Sequence, residues 1–358
     1  MHRPLSRLAL ATAAVIGTNS AFAATPIGDY LNFSGFGTLG AVATSTNEAE
    51  FKQANQSAGA EKGASAIVDS DFAMQLTATP TPWLSATVQM LSIARGMPHL
   101  TNEFEWAYVK VKPMDGLTLR GGRMALPMFA ISDSRNVGYA NNWLRAPGEV
   151  YALALFSGLR GADVTYTAPI GSTTFTASAM AGKTGGDRSP GRSQTLEGNQ
   201  LRGLNLTWET EWATFRLGQV RTKVPLPGFV DSYKFTGAGV LVDRDNIVAQ
   251  AEYVTRRSAT LPAVVNSDGW YVLGGYRFGQ VLPYASYASS KPKFSGSPFY
   301  TSNTQKTAAI GLRWDAFKSA DVKFQLERID TKGTAGVSFT APVAKPVTAA
   351  SVAVDFVF

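Results

Sequence analysis

From Tyr30 onward the chain alternates apolar and polar side chains in short stretches, with a period of two. That period sends successive side chains to opposite faces of a β-strand. Phe72, Met74, Leu76 and Ala78 fall on one face, with Asp71, Gln75 and Thr77 on the other. Val322, Phe324 and Leu326 oppose Lys323, Gln325 and Glu327, and Val352, Val354, Phe356 and Phe358 oppose Ser351, Ala353 and Asp355. About sixteen such stretches can be marked between residues 30 and 358, among them 212–222 and 234–243, each about the length of a membrane-crossing strand.

The links between these stretches carry more information than the stretches themselves. Tight turns rich in Gly, Pro, Asn and Asp fall near 79–82, 113–116, 169–171, 209–211, 243–246, 279–280 and 315–319. Between them lie longer polar links such as 44–66, 182–199, 291–303 and 332–346. Strict alternation of short and long links predicts an all-β fold, a transmembrane up-and-down antiparallel β-barrel of about 16 strands with short periplasmic turns and long outer loops. Trp83, Trp106, Trp208, Trp212, Trp270, Tyr276, Trp314 and Phe317 stand near strand ends and are expected to form interfacial girdles.

One link is out of scale. Residues about 124–158 carry Phe129, Tyr139, Trp143, Tyr151 and Phe156, too much aromatic surface to leave in water, together with Asp133, Arg135, Arg145 and Glu149. A long irregular segment inside a compact domain needs a job. The expected job is to fold into the barrel and narrow it.

Composition supports a wall with two unlike faces. Charged residues make up only 16% of the chain, against roughly 25% in soluble domains. No run approaches the ~18 apolar residues of a membrane helix, which excludes a helical membrane protein. Residues 1–23 read as a secretory signal, with Arg3 and Arg7, an apolar middle, and Ala21-Phe22-Ala23 before the cut. Residues 24–358 then form the mature barrel. Losing two Arg and no acid takes the net charge from +7 to +5. With no Cys in the chain there are no disulfides, thiolate metal sites or Cys nucleophile.

In a barrel of this size the inward side chains cannot all meet, so a water-filled channel remains. Arg120, Arg216, Arg277 and Arg313, with Lys110 and Lys323, sit on the polar faces. Since an Arg in mid-bilayer costs about 2–4 kcal/mol, they are assigned to the lumen.

The sequence resembles the Gram-negative outer-membrane porins over the whole mature chain. The resemblance rests on the first strand LNFSGFGTLGA, the pair EWAYVKVKPMDGLTLRGGR, the long third loop that follows it, and the terminal ASVAVDFVF. It implies a sixteen-stranded barrel, usually a homotrimer, in the outer membrane of a Gram-negative bacterium, with the third extracellular loop folded inward. Its expected partners are outer-membrane lipid and lipopolysaccharide, the barrel-assembly machinery and small hydrophilic solutes. It casts Arg120, Arg123, Arg216, Arg277 and Arg313 as wall bases facing Asp133 and Glu149 on the loop, and the terminal Phe358 as part of the assembly signal. The Pro-Glu-Phe-Gly-Gly loop motif of many general porins is absent, Leu126-Pro127-Met128-Phe129 standing nearest, and Arg135 and Arg145 add bases to the loop. The function expected is passive diffusion of small hydrophilic solutes and ions with a mild anion preference, since bases outnumber acids.

Other chemistries fit less well. Gly35-Phe36-Gly37-Thr38-Leu39-Gly40 has the spacing of a dinucleotide loop but lacks the strand before and helix after that phosphate binding needs. A hydrolytic barrel needs a proton-moving His, and the mature chain offers only His99. No enzyme activity, cofactor or metal site is expected. Dispersed Lys and Arg give no nucleic-acid patch. A closed barrel acting as an anchor would need plugging side chains or long surface loops. The runner-up is a substrate-specific channel in which Trp143, Tyr139 and Tyr151 on the inward loop provide a stacking surface for a solute.

Overall fold

The computed structural model describes residues 24–184, 197–226, 228–258, 266–293 and 304–358. The expected signal segment, and most of the links 182–199 and 291–303, lie outside the described residues. All the described strands belong to one antiparallel sheet. A three-residue strap, β1 (Thr25–Ile27), pairs with the first spanning strand, β2 (Leu31–Thr44). There follow β3 (Asp71–Thr81), β4 (Leu84–Ile93), β5 (Thr101–Met114), β6 (Leu117–Ala125), β7 (Gly158–Ile170), β8 (Thr173–Thr184), β9 (Gly198–Glu209) and β10 (Ala213–Leu226). The circuit continues through β11 (Phe229–Arg244), β12 (Ile247–Ser258), β13 (Ser267–Tyr276), β14 (Val281–Pro292), β15 (Gln305–Phe317), β16 (Ala320–Asp330) and β17 (Val347–Val357). Each strand pairs with its neighbour in sequence, and β17 pairs back onto β2, so sixteen strands close a barrel. Closure leaves no sheet edge, the condition for strands to survive in lipid, where an unpaired N–H or C=O costs several kcal/mol.

The alternation read from the sequence is the inside–outside pattern. Leu39, Leu76, Val88, Leu119, Val164, Leu204, Leu217, Val272, Ile310, Phe324 and Val352 are all exposed on the outer face. Their neighbours Thr38, Gln75, Thr87, Thr118, Asp163, Asn205, Ser351 and Gln325 are buried inside. At the short-turn end Trp83, Trp208, Trp212, Tyr276, Trp314 and Phe317 form one exposed aromatic girdle, with Trp270 further along the outer face. Trp106 does not join them. A bulge opposite Gln89 and Met90 shifts the register of β5, so Trp106 pairs with the inward Gln89 and Glu105 also turns inward.

The strict short–long alternation fails at one place. Residues 223–233, expected as a loop, continue β10 and β11 to a tight turn between Leu226 and Phe229. Apolar residues at alternate positions there (Val224, Tyr233) let the two strands extend as a hairpin past the neighbouring strand ends. At the opposite end the link between β11 and β12 is only Asp245 and Asn246. Both take positive φ, 58° and 116°, which Asp and Asn tolerate in hairpin turns.

The seam between β17 and β2 explains the glycines of the first strand. Phe358 and Gly35 exchange backbone hydrogen bonds at 2.8 and 3.0 Å. The Phe358 ring lies between Phe33 and Phe72, each 5.9 Å away between centroids. A Cβ at Gly35 would stand 2.2 Å from the Phe358 ring, and one at Gly37 2.6 Å from that of Phe356. The spacing that mimicked a nucleotide loop is therefore two notches that seat the last aromatics.

A Gly35→Val substitution should expel the Phe358 ring and destabilise the closed barrel by about 1–3 kcal/mol, the range for overpacking. The urea midpoint of the refolded barrel measures this, and an unchanged midpoint would remove the notch from the account.

Candidate pore and constriction

The long segment between β6 and β7 lies inside the barrel, held by inward side chains of distant strands. Its conformation is irregular apart from one turn at Gly138–Ala140 and a short helix, α1 (Gly148–Tyr151). Two kinds of contact fix it.

The first is apolar. Met128, Phe129, Trp143, Tyr151, Leu153 and Phe156 are buried against Tyr233, Phe235, Val254, Tyr271, Leu273, Leu282 and Tyr284 of β11–β14. Ring pairs are tight: Phe129 to Tyr151 at 4.6 Å, Trp143 to Tyr271 at 5.2 Å, and Phe129 to Phe235 at 5.3 Å between centroids. The inner wall is thus divided. On β11–β14 it is largely apolar and covered by the loop. On β3–β9 it is polar, with Gln75, Thr87, Lys110, Arg120, Thr165, Ser178 and Asn205.

The second kind is polar and uses the loop's backbone. Arg313 donates to the carbonyls of Tyr139 (2.9 Å) and Asn141 (2.8 Å), Lys323 to Gly138 (2.7 Å) and Arg216 to Ala130 (3.1 Å). In the other direction the Ala130 N–H donates to Glu252 (3.0 Å), and the Leu144 N–H to Tyr284 and Gln325 (3.2 Å each). The Tyr151 hydroxyl also donates to Glu252 at 3.0 Å.

This alters the expected charge pattern. Arg216 and Arg313, expected to face loop acids, hold loop carbonyls instead, as does the lumen base Lys323, and wall acids balance Arg313 and Lys323. Arg313 sits 3.1 Å from Asp321, and Lys323 2.8 Å from Asp355. Arg120 is chelated by Asp163 on the next strand, Nε to Oδ2 at 3.0 Å, with its guanidinium 5.5 Å over the Tyr108 ring. Asp133 is the one loop acid close enough to interact with Arg120.

Glu149 faces no wall base. It is buried and accepts from Gln305 (3.0 Å) and Thr307. Burial raises its carboxyl above the usual Glu range, partly offset by those donors. The strongest loop-to-wall ion pairing runs the opposite way: Arg145, buried on the loop, meets Asp69 (Nε to Oδ1, 2.8 Å) and Glu327, with Phe51 stacked 4.7 Å from its guanidinium.

The remaining sequence candidates fall outside the constriction or at its rim. Arg277 follows β13 at the short-turn end and pairs with Asp243 at 3.2 Å, both partly exposed. Arg123 pairs in register with Ala107 and Arg160, on the parity of the outward Leu119, though its tip reaches within 4.0 Å of Glu103. Arg135 lies near Glu105, which Arg95 also holds at 2.9 Å. Lys110 stands directly opposite Arg120 on the polar wall. Trp143 and Tyr151 are buried in the loop–wall core, and Tyr139 is capped by Arg313 at 5.2 Å. Of the three, only Tyr139 remains half-exposed. His99 is exposed on the connection between β4 and β5.

A second apolar cluster closes part of the mouth. Phe51, Ala60 and Val68 from the link between β2 and β3 pack on Phe339 and Val343 from the link between β16 and β17. Sequence reading marked these two loops as polar links and missed their apolar packing, along with the roles of Asp69, Asp163, Glu252, Tyr284 and Glu327. The acids stood among polar wall residues and gave no sign of which would bind the loop.

A closed sixteen-stranded barrel with an apolar outer face, a polar inner wall and an inward loop defines a channel of the outer membrane. Residues 9–334 match the Gram-negative porin family, and the chain belongs to it. No curated protein matches. Among solved structures the barrel is similar to OmpF of Salmonella typhi in complex with daunomycin, at TM-score 0.63, 15% identity, covering 92% of this chain and 97% of that one. It is similar to the anion-selective porin from Comamonas acidovorans, at 0.62 and 13%, covering 92% and 99%. The outer-membrane channel DcaP of Acinetobacter baumannii gives 0.60 and 10%, covering 92% and 98%. At such identities the likeness is one of fold.

Two substitutions separate the loop's anchors. Arg145→Met leaves Asp69 and Glu327 buried without their cation and should cost about 3–5 kcal/mol, read by thermal or urea unfolding together with protease sensitivity of the loop. Glu149→Gln keeps an acceptor for Thr307 and Gln305 and removes the buried charge. In the parent, the contribution of Glu149 is fully present below the ordinary Glu pKa and is lost as pH rises through its raised folded value. The Gln variant should match the parent at acid pH and exceed it at neutral pH. Equal stability loss at both would contradict a charge-burial cost.

Proposed function

We propose that the protein lets small hydrophilic solutes and ions diffuse passively through the outer membrane, with a mild preference for anions. The observation that carries this reading is the divided inner wall, with a polar side where Lys110 lies directly across from Arg120. Asp163 and Asp133 temper the positive field there, so the preference is weak. It fades at high salt, where screening shortens to about 3 Å near 1 M. The constriction residues are Lys110, Arg120, Asp133 and Arg135, while Arg145, Glu149, Arg216 and Arg313 position the loop. Long loops face outside and short turns the periplasm. The chain works as a homotrimer; a related structure, OmpT of Vibrio cholerae, is described as a trimer form. Phe358, seated in the Gly35 notch, acts in assembly, and no enzymatic step is assigned.

The substrate-specific alternative keeps one support. A cavity of about 150 Å3 beneath the mouth loops is lined by Lys52, Gln53, Arg95 and Arg135 together with Asp69, Asp71, Glu149 and Glu327, a mixed polar set suited to a hydroxyl-rich solute.

Conductance in planar bilayers tests both readings. Lys110→Ala with Arg120→Ala should move the reversal potential toward cations. Arg313→Ala should mainly enlarge conductance, because it frees the carbonyls of Tyr139 and Asn141. Small currents blocked by a single solute would favour the specific channel, and an unmoved reversal potential in the double variant would remove the field from the polar wall.

A further inference from the structure

Resting on the substrate-specific reading, we infer that the cavity between the mouth loops and the constriction loop binds a small neutral solute rich in hydroxyls, of the monosaccharide class, through Lys52, Asn55, Asp71 and Trp143. All four residues line the cavity. Each brings a polar group to it that the rest of the chain leaves unmet.

Two of these groups are buried. Trp143 is 3% exposed, and its Nε1 has no hydrogen-bond partner among the described residues. The Oδ1 of Asp71, an inward side chain at the start of β3, is likewise buried and unpartnered. Buried polar groups are nearly always hydrogen-bonded. A donor and an acceptor left open on one cavity therefore call for a partner from outside the chain. The other two groups are half-buried on the link between β2 and β3. Among the described residues Lys52 enters no ion pair, and burial lowers its pKa from the usual Lys range with no acid to offset it. Asn55 gives its carbonyl to the Gly96 N–H at 2.7 Å, and its side-chain amide is free among the described residues.

One ion pair gathers the segments that carry them. Arg145, two residues from Trp143, is bonded at 2.8 Å to Asp69, two residues from Asp71. The same guanidinium lies 4.7 Å from the Phe51 ring, and the Gln53 amide donates to Asp69 at 3.1 Å. Lys52 is thus flanked by two residues fixed to that pair. The bond between Asn55 and Gly96 ties the link to the end of β4. Mouth link, β3 and constriction loop are held around one space.

The ligand class follows from the mixture of groups. A carboxylate oxygen accepts, an indole N–H and an ammonium donate, and an amide does both. A hydroxyl also donates and accepts, so a solute carrying several of them answers all four. A net charge fits less well: an anion meets Asp69, Asp71 and Glu327, and a cation meets Lys52, Arg95 and Arg135, all on the same walls. Size agrees. At about 150 Å3 the cavity exceeds the ~10–15 Å3 that one water requires and falls short of the ~300 Å3 of pockets for drug-sized ligands.

The test uses the purified full-length barrel in a detergent without a sugar headgroup. It is titrated calorimetrically with glucose, glucuronate and glycine, and its conductance is recorded in planar bilayers. Glucose should bind saturably, and glucuronate and glycine more weakly. Trp143→Phe keeps a packed ring and removes the N–H, and Asp71→Asn keeps the shape and removes the charge. Each should weaken glucose binding about three- to tenfold, the range for one hydrogen bond. Trp208→Phe, on the outer girdle, should leave it unchanged. Absence of saturable glucose binding overturns the proposal without any variant. So does equal or tighter binding of glucuronate or glycine, which would mark a site for charge. Parent affinity in either Trp143→Phe or Asp71→Asn overturns it as well, leaving the open groups to water. Conductance separates site from channel: a barrel that conducts and does not bind glucose loses the site alone, and one that binds glucose without conducting loses the channel reading alone.

Discussion

A buried irregular backbone must have every N–H and C=O satisfied, and the inward loop meets that demand with wall side chains. In lipid this is a strict condition, since non-helical chain at membrane depth survives only where protein or water supplies its partners. Arg313, Lys323 and Arg216 give donors to loop carbonyls, and Glu252, Tyr284 and Gln325 accept from loop amides. The aromatic packing on β11–β14 then removes apolar surface from the channel. Together these contacts hold the loop against the inner wall.

This assignment changes what the wall charges mean. A base that holds a carbonyl and is balanced by Asp321 or Asp355 adds little field across the passage. The bases that remain to act on ions are those on the polar side, Lys110 and Arg120, tempered by Asp163. Position in the wall, and not the net charge of the chain, therefore sets the electrostatics. Arg145 makes the same point from the loop: it is a base, yet its buried contacts with Asp69 and Glu327 make it an anchor.

Most of the barrel was legible in the sequence because a period of two records, at every strand, which face meets lipid. The loop was legible for a similar reason, since Phe129, Trp143 and Phe156 have no place in water. Its docking side was also written there, though less openly. Strands such as β13, with Tyr271, Val272 and Leu273 in succession, are apolar on both faces, which implies that something apolar covers the inside. The partners of Arg145 and Glu149 could not be read, because pairing depends on how a segment of irregular backbone turns in three dimensions. Trp106 escaped for a related cause: one bulged residue reverses the face of everything beyond it. The hairpin of β10 and β11 was missed because Pro225, Pro227 and Gly228 read as a loop, although Val224 and Tyr233 keep the alternation.

The seam between β17 and β2 has a bearing on how the chain can be made. Its register joins Ala349 to Thr44 and Val357 to Phe36, so the first spanning strand closes the barrel only with β17. Until β17 has been made no cylinder can exist, and a partly finished sheet would present two open edges. Hairpins of adjacent strands can pair earlier, but closure itself has to wait for β17. Contacts between chain ends are the most distant in sequence and slow to form. Shielding the growing chain from self-association is thus a need imposed by topology itself, whatever the solute that eventually passes through.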